Sequence, residues 1–290
     1  MRRIKTGYFS LAVAAGGLLL LAAGCTTQYD KIVKSADYEL KYRAAKDYYQ
    51  AGKYERAATL FDQSAMFYRG TKQDDSLHFL LAKSYYLWGD VYTAEYYFEQ
   101  FRTTFPRSPF VEEATLLRIN CLYAQTHRYE LDQTPTHKVL TAIEEFLYNF
   151  PGTPYKEECL KKKEDLEQRL DEKQYESAKL YYHIENYKAA TTALRATLKD
   201  HPDSRYREEI LYLLVASAYK YAENSFHHLQ KDRFQAVIDE YYNFISEFPD
   251  SKYRKEVDKM NTAALKELGS DRTATIPATE EEKEEQIDKK

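Results

Sequence analysis

Three segments of the chain share an aromatic residue, a lysine and a tyrosine at the spacing i, i+4 and i+7. They are Tyr42, Lys46 and Tyr49; Phe79, Lys83 and Tyr86; and Tyr175, Lys179 and Tyr182. This spacing places the three side chains of a set on one face of a helix. Aromatic rings hold apolar or aromatic ligand groups, and lysines pair with carboxylates or peptide carbonyls. The sets therefore predict a groove for an extended peptide with aromatic residues and a free C-terminus.

A second interpretation of the same residues stays open at this point. The last tyrosine of each set could pack between neighbouring helix pairs, and the lysines could do no more than solvate the surface. The sequence does not decide between a binding groove and a packed, solvated face.

Residues that could support catalysis are scattered through the sequence. No nucleophile elbow, zinc-protease motif, phosphate-binding loop or paired C-x-x-C occurs in it. His227 and His228 are the only adjacent histidines, and neighbours on a helix point apart. The sequence predicts no enzyme, no metal site and no cofactor.

The composition narrows the class of protein. The 290 residues carry a net charge of −4 and include 28 tyrosines but only 9 glycines. The mean hydropathy of −0.70 excludes a polytopic membrane protein, and the sequence pI near 6.0 argues against nucleic acid as a partner. So few glycines cannot supply the turns of a many-stranded sheet, so the body is predicted to be mostly helical.

The elements that position the three sets form an internal repeat. Four segments combine an aromatic ring, a helix-stopping proline and a hydroxyl residue able to cap the next helix, and they begin at Phe105, Phe150, His201 and Phe248. Upstream of two of them, small and aromatic residues recur at matching positions: Ala82, Tyr85, Ala94 and Phe98; and Ala178, Tyr181, Ala190 and Leu194. This is the tetratricopeptide pattern of paired helices, in which small residues let two helices cross closely.

The pattern predicts an all-α fold, a tetratricopeptide-repeat solenoid of about five helix pairs. The predicted repeats are 38–71, 75–108, about 113–153, 171–204 and about 209–251. In each set of paired tyrosines the first, at Tyr48, Tyr85 and Tyr181, is predicted to lie in the core. Cys121 and Cys159 lack a metal or redox spacing and are predicted to be buried thiols, with pairing to each other left open.

The N-terminus has the features of an export signal. A basic start at residues 2–5 precedes an apolar run from Leu11 to Ala23, which is short for a bilayer span. The run ends in small residues before Cys25 and so resembles a bacterial lipobox, which implies cleavage and lipidation of Cys25. Thr26 and Thr27 follow without an acidic residue, which in lipoproteins favours sorting to the outer membrane. The alternative is an ordinary secretory signal cleaved nearby.

These features divide the chain into six predicted segments. They are a lipoprotein signal peptide at 1–24, a linker at 25–37, N-terminal repeats at 38–153, a charged helical spacer at 154–170, C-terminal repeats at 171–268 and a disordered acidic tail at 269–290.

The order of these segments resembles the BamD family, the lipoproteins of the outer-membrane β-barrel assembly machinery. The run from Tyr175 to Tyr182 that leads to His201-Pro202-Asp203-Ser204 carries the resemblance, as do Phe101 to Pro109 and Asp132-Gln133-Thr134. It implies a non-enzymatic scaffold at the periplasmic face of the outer membrane. The N-terminal repeats, with the first two aromatic and lysine sets, would receive unfolded outer-membrane proteins. The C-terminal repeats, with the third set, would dock a BamA-like barrel-forming subunit.

One other hypothesis remains beside this one. The chain could be a different periplasmic tetratricopeptide-repeat lipoprotein that acts as an envelope or peptidoglycan-synthesis adaptor. Both hypotheses share the repeat fold and the lipid anchor, so they differ only in the partner.

Overall fold

A computed structural model of the chain describes residues 28–274, and within them it consists of helices joined by turns. The helices are α1 (Gln28–Lys34), α2 (Tyr38–Gln50), α3 (Tyr54–Tyr68), α4 (Asp74–Trp88), α5 (Val91–Thr104), α6 (Val111–Ala124), α7 (Thr134–Asn149), α8 (Lys156–His183), α9 (Tyr187–Asp200), α10 (Arg207–Glu223), α11 (His227–Glu247) and α12 (Arg254–Ala274). None of these helices is both long enough and apolar enough to cross a membrane. The predicted signal peptide, Cys25 and residues 275–290 of the predicted tail lie outside the described residues. Residues 269–274, predicted to begin the disordered tail, instead continue α12.

The chain divides into two compact units. The first unit comprises the residues up to Thr126 together with Pro135–Glu157. The second unit comprises His127–Thr134 and the residues from Glu158 onward. Each unit has its own buried core.

Side-chain caps and one glycine set the ends of the helix pairs. The carboxylates of Asp37 and Asp90 accept hydrogen bonds from backbone amides in the first turns of α2 and α5, and the amide oxygen of Asn186 does the same for α9. Gly89 ends α4 with a φ of 97°, a left-handed conformation that glycine adopts without strain. A short turn therefore separates α4 from α5, which lets the two helices pack as an antiparallel pair.

The first unit packs its helices through small residues, as the repeat pattern requires. Ala82 on α4 and Ala94 on α5 are fully buried where these two helices meet, and Phe98 fills the space beside them. Ala45 and Ala57 are buried in the same way between α2 and α3. Small side chains allow a close helix crossing, and the neighbouring rings restore a dense core.

The second unit repeats this arrangement with different side chains. Ala178 on α8 and Ala190 on α9 are buried together with Leu194, and α10 adds the largest share of apolar residues to the same core. Helix α8 continues without a break for 28 residues, so its charged first half and the first helix of the fourth pair are one element. The prediction of an all-α tetratricopeptide-repeat fold of about five helix pairs is confirmed.

The predicted core position of three tyrosines is only partly correct. Tyr48 and Tyr85 are half-buried, and the ring of Tyr85 stacks on Tyr97 at 5.3 Å. The prediction for Tyr181 is wrong, because this side chain is 41% exposed. Ala193 occupies the place in α9 that Tyr97 occupies in α5, so Tyr181 has no ring to stack on.

The segment between α6 and α7 is held by polar side chains of the second unit. Gln133 is buried and its amide donates hydrogen bonds to the carbonyls of Arg128 and Leu131. The Lys173 ammonium on α8 donates to the carbonyls of Tyr129 and Leu131, at 3.0 and 2.9 Å. These contacts satisfy backbone carbonyls in a segment that has no regular structure of its own.

Both cysteines within the described residues are buried free thiols. Cys121 lies on α6 and Cys159 on α8. Burial raises the pKa of the Cys121 thiol to about 12, so it stays protonated and unreactive at neutral pH. The two thiols therefore pack as small apolar side chains.

Candidate peptide-binding site

The first aromatic and lysine set lies on α2 and leaves its cation uncommitted. Tyr42 is half-buried and contacts the rings of Phe61 and Tyr68, at centroid distances of 6.0 and 4.7 Å. The Lys46 ammonium lies 5.6 Å from the Tyr42 ring centroid and is exposed. Among the described residues, no carboxylate forms an ion pair with Lys46. This part of the first unit therefore presents an aromatic surface with a cation available to a ligand.

The second set lies on α4 and is tied to α6. Phe79 is almost fully buried, and its ring stacks on Phe110 at 4.9 Å with an interplanar angle of 9°. The Lys83 ammonium lies 2.6 Å from a carboxylate oxygen of Glu113 and 5.3 Å from the Phe79 ring centroid. Tyr86 is half-buried, and its ring forms a T-shaped contact with Phe98 at a centroid distance of 6.4 Å. Phe79 and Lys83 thus connect two helix pairs, and Phe79 has no face open to a ligand.

The third set, on α8 in the second unit, has the same internal contacts. Tyr175 is 1% exposed, and its ring stacks on Tyr206 at 4.2 Å. The Lys179 ammonium donates to the Tyr175 hydroxyl at 2.8 Å and to a carboxylate oxygen of Glu209 at 2.9 Å. Tyr182 is half-buried and packs edge-on against Tyr187. Two of the three side chains are therefore engaged within the unit.

The second and third sets belong to one recurring arrangement. In both, the lysine contacts a glutamate that lies 30 residues further along the chain. In both, an aspartate one turn before the aromatic residue accepts a hydrogen bond from a serine 33 residues later: Ser108 bonds to Asp75, and Ser204 to Asp171. The serines follow the two prolines of the repeat signature, so each signature fastens the start of the next pair.

The two lysine–glutamate contacts favour the charged form of each lysine. Burial alone would lower the pKa of Lys83 and of Lys179, but the hydrogen bonds to Glu113 and Glu209 and the surrounding negative charges together outweigh it, and both pKa values are raised. Burial acts to raise the pKa of Glu209, yet the contacts with Tyr175 and Lys179 hold it below its ordinary value. Neither ammonium is free to bind a ligand carboxylate without giving up this partner.

Tyr49 connects the first set to the second. Burial raises the pKa of its hydroxyl, and the nearby positive charge of Lys83 opposes this effect. The Tyr49 ring also meets Tyr54 edge-on at 5.6 Å. Tyr42, Lys46 and Tyr49 consequently lie on one helix face that ends beside Lys83, whereas Phe79 is withdrawn into the core.

Two exposed rings beside the first set were not predicted from the sequence. Tyr38 lies one helical turn before Tyr42, and its ring stacks on Phe67 of α3 at 5.2 Å. Both rings are exposed, and Phe67 is next to the strongly exposed Met66. The spacing i, i+4 from Tyr38 to Tyr42 was a usable signal for the first ring. Nothing in the sequence pattern indicated Phe67, which lies beside Tyr38 because α2 packs against α3.

The glutamates that pair with the lysines were not predicted either. No pattern within a single repeat marks Glu113 or Glu209, because each lies in the helix after the repeat that contains its lysine. The equal spacing of the two pairs is a signal that a comparison between repeats could have found. In the first repeat the corresponding residue is Ser76, which explains why Lys46 has no carboxylate partner among the described residues.

Comparison with known proteins identifies one sequence relative and two structural relatives. The chain is 21% identical over 218 residues to outer membrane protein assembly factor BamD of Caulobacter vibrioides, which covers 74% of this chain and 72% of the relative. Among solved structures it is similar to TTC0263, a thermophilic tetratricopeptide-repeat protein of Thermus thermophilus, at 15% identity and a TM-score of 0.29. It is also similar to the TPR2AB domain of yeast Sti1 in its pHSP90 complex, at 12% identity and a TM-score of 0.35.

Each structural match covers 79% of this chain and 98% of the other. The fold is assigned from the helices and their packing. The family profile is the broader match, because the YfiO profile, described as outer membrane lipoprotein, matches residues 35–221 and 172–285. The chain therefore belongs to the YfiO family of outer membrane lipoproteins.

Proposed function

We propose that this chain is a lipid-anchored, non-enzymatic scaffold of the outer-membrane β-barrel assembly machinery. Its family and its BamD relative, which is named an outer membrane protein assembly factor, support this proposal. Removal of residues 1–24 would leave an acylated Cys25, and acyl chains at about 0.8 kcal/mol per buried CH₂ would hold the body at the periplasmic face of the outer membrane.

The first unit would receive the C-terminal segments of unfolded outer-membrane proteins. The observation that carries this step is the exposed Lys46 ammonium beside the ring of Tyr42, without an ion pair among the described residues. A chain-terminal carboxylate would pair with Lys46, and an aromatic residue before it would lie against Tyr42 and the exposed ring of Tyr38. Lys83 and Tyr86 would frame this site from the next helix pair, whereas the buried Phe79 would support α4 from the core.

The second unit would dock a BamA-like barrel-forming subunit. Tyr175 and Lys179 are engaged with Tyr206 and Glu209, so we assign them to positioning α8 rather than to direct contact. Contact would fall to Tyr182 and to three exposed apolar residues at and just after the end of the same helix, which are Leu180, Tyr181 and Ile184. Exposed apolar side chains grouped in this way are typical of protein interfaces.

Retention of partners from envelope extract tests the proposal as a whole. The mature chain, immobilised through its C-terminus, is expected to retain a barrel-forming subunit and unfolded barrel proteins. A chain carrying Ile184→Asp serves as the control for specific retention of the subunit. Recovery of peptidoglycan synthases without any barrel-assembly subunit would contradict the proposal and favour the adaptor hypothesis.

Peptide binding tests the site on α2. A Lys46→Glu variant is expected to bind a C-terminal barrel peptide at least about tenfold more weakly, because it replaces an attractive charge by a repulsive one. Lys72→Glu is the matched control, since Lys72 is an exposed lysine of the same unit in the α3–α4 turn. Equal affinity of the two variants would reduce the α2 face to solvated surface.

A further inference from the structure

An open surface cavity of about 590 Å³ lies in the first unit, beside the turn that follows α2 and the end of α4. Its lining consists of residues 52–56 and residues 87–88, so the start of α3 and the end of α4 form its walls. Trp88 is the only tryptophan of the chain, and 48% of its side chain is exposed here, beside the exposed Leu87. We call Lys53, Arg56, Leu87 and Trp88 together the Trp88 surface.

Two cations of the Trp88 surface are unpaired within the described part of the chain. Lys53 and Arg56 are exposed, and neither forms an ion pair with a described carboxylate. Glu55 is the one acid in the lining, so the basic groups outnumber it. Exposed aromatic and apolar side chains next to unpaired cations match the interface of an anionic phospholipid layer, where tryptophan is enriched and each cation adds attraction.

Helix α1 lies between the Trp88 surface and the proposed site of lipid attachment at Cys25 in the chain, and it contacts that surface. The Arg56 guanidinium lies 5.0 Å from the ring centroid of Tyr29 on α1, and Tyr29 meets Tyr48 edge-on at 5.5 Å. Tyr29, Ile32 and Val33 pack on the core, while Lys31 and Lys34 are exposed. Arg56, which lines the cavity, is therefore in direct contact with α1.

Chain length then limits the distance to the membrane. Gln28 follows Cys25 by three residues, and at about 3.6 Å per residue the two positions lie within roughly 11 Å of each other whatever path the chain takes. An acylated Cys25 would sit at the headgroup level of the leaflet. Since α1 cannot move far from that level, the cations that contact or flank α1 are held within reach of the headgroups.

We propose that the Trp88 surface and the exposed lysines of α1 rest on anionic phospholipid headgroups of the leaflet that holds the Cys25 anchor. This inference depends on the proposed lipidation and goes beyond it, because it assigns one face of the first unit to the membrane. It also fixes which side of that unit faces away from the membrane and stays open to soluble ligands.

Fluorescence of Trp88 in the lipidated mature protein tests the inference, because no other tryptophan contributes. The protein is incorporated into vesicles of phosphatidylethanolamine with phosphatidylglycerol that contain a phospholipid brominated near the headgroup. Vesicle flotation is measured first, and quenching of Trp88 second. A protein that does not float refutes the lipid anchor, whereas a protein that floats with Trp88 unquenched refutes the Trp88 surface alone.

Charge variants establish that the headgroups are what the surface recognises. The double substitution Lys53→Glu and Arg56→Glu is expected to lower, by roughly tenfold or more, the fraction of anchored molecules whose Trp88 surface contacts the membrane. The measured result would be a loss of Trp88 quenching while vesicle flotation stays unchanged. Arg69→Glu with Lys72→Glu is the matched control at the opposite end of α3, where both cations are exposed and unpaired within the described residues. We expect this control to keep the quenching of the unaltered protein.

Two further measurements distinguish headgroup charge from altered packing of α1. Lys31→Glu with Lys34→Glu leaves the Arg56–Tyr29 contact intact and should also reduce quenching, as an effect of charge requires. Vesicles in which phosphatidylcholine replaces the phosphatidylglycerol, with the same brominated phospholipid, should quench Trp88 less than the anionic vesicles. Equal quenching in both vesicle types, or in both double variants of the α3 ends, would overturn the proposal.

Discussion

At the scale of single residues, burial decides how much each repeated contact contributes. The hydrogen bond from Ser204 to Asp171, at 2.9 Å, joins two buried side chains, whereas Ser108 and Asp75 are only half-buried. A buried carboxylate that loses a donor cannot replace it with water, and one oxygen of Asp171 already lacks a hydrogen bond among the described residues. The same pair therefore matters more in the second unit than in the first.

We expect Ser204→Ala to destabilise the second unit by about 1–3 kcal/mol, because it leaves the buried Asp171 carboxylate short of a donor. Ser108→Ala should cost the first unit less than about 1 kcal/mol, since water reaches Asp75. Hydrogen exchange resolved along the chain measures each loss in the unit concerned. Equal losses in the two variants would show that burial does not separate the two contacts.

The lysine–glutamate contacts predict a specific dependence on pH. The pKa of Glu209 lies below its ordinary value of 4.5, so the folded state favours its charged form. Its stabilising contribution is fully present above that ordinary value and is lost as the pH falls through the lowered pKa. We therefore expect Glu209→Gln to lose less stability than the unaltered chain between about pH 7 and about pH 3.

Urea unfolding at a series of pH values measures this difference. Glu208→Gln is the control, because Glu208 lies in the same first turn of α10 and has no ion pair within the described residues. An acid-induced loss as steep in Glu209→Gln as in the control would contradict a stabilising role of the contact with Lys179.

At the scale of helices, small residues at the crossing points determine how closely a pair can pack. Ala190 on α9 is fully buried and belongs to the core of the second unit, together with Ala178 of α8. We expect Ala190→Leu to destabilise this pair by about 1–3 kcal/mol, because the larger side chain forces the two helices apart. Thermal unfolding followed by circular dichroism measures the change.

Ala196→Leu is the matched control for this substitution. Ala196 lies on the same helix and is exposed, so the added side chain enters solvent and leaves the helix propensity nearly the same. If the two variants had the same transition temperature, a leucine at the crossing would cost no more than a leucine in solvent. That result would contradict the steric basis of the repeat.

The helix pairs could be predicted from sequence because their signal lies within one repeat. Ala82, Ala94 and Phe98 have the burial that the repeat pattern requires. Phe79 was expected to face a ligand, yet it is buried because Phe110 stacks on it. That partner belongs to the following helix pair, so a pattern counted inside one repeat contains no information about it. Tyr181 differs from Tyr85 for another reason: within its own repeat, Ala193 stands where Tyr97 stands in the earlier one, and the repeat pattern does not specify that position.

The candidate site was predictable to the same extent. The sequence located the aromatic and lysine sets on the first helices of three pairs, which the structure describes as α2, α4 and α8. It could not distinguish a free lysine from a paired one, because pairing depends on Glu113 and Glu209 from later helices. Lys46 differs from the other two lysines because it has no carboxylate partner among the described residues. Ser76 lies 30 residues after Lys46, where the other repeats have a glutamate, so comparing that spacing between repeats would have revealed the difference.

At the scale of the whole molecule, two units with separate cores allow two binding activities on one chain. Under the proposed function, the α2 face binds peptides, and the exposed end of α8 binds the barrel-forming subunit. The residues proposed for contact, Lys46 and Ile184, are exposed and lie in different units. Changing either one should leave the core of its own unit intact, since neither belongs to a buried cluster.

The two activities are therefore expected to be separable. Lys46→Glu should weaken peptide binding at least about tenfold while subunit retention stays unchanged, because only the charge on α2 is reversed. Ile184→Asp should have the opposite effect, since a charge placed in an apolar contact costs several-fold in affinity or more. Peptide titration and subunit pull-down with both variants measure all four combinations. If either variant abolished both activities, one shared surface would have to serve both ligands, and the division of function between the two units would be wrong.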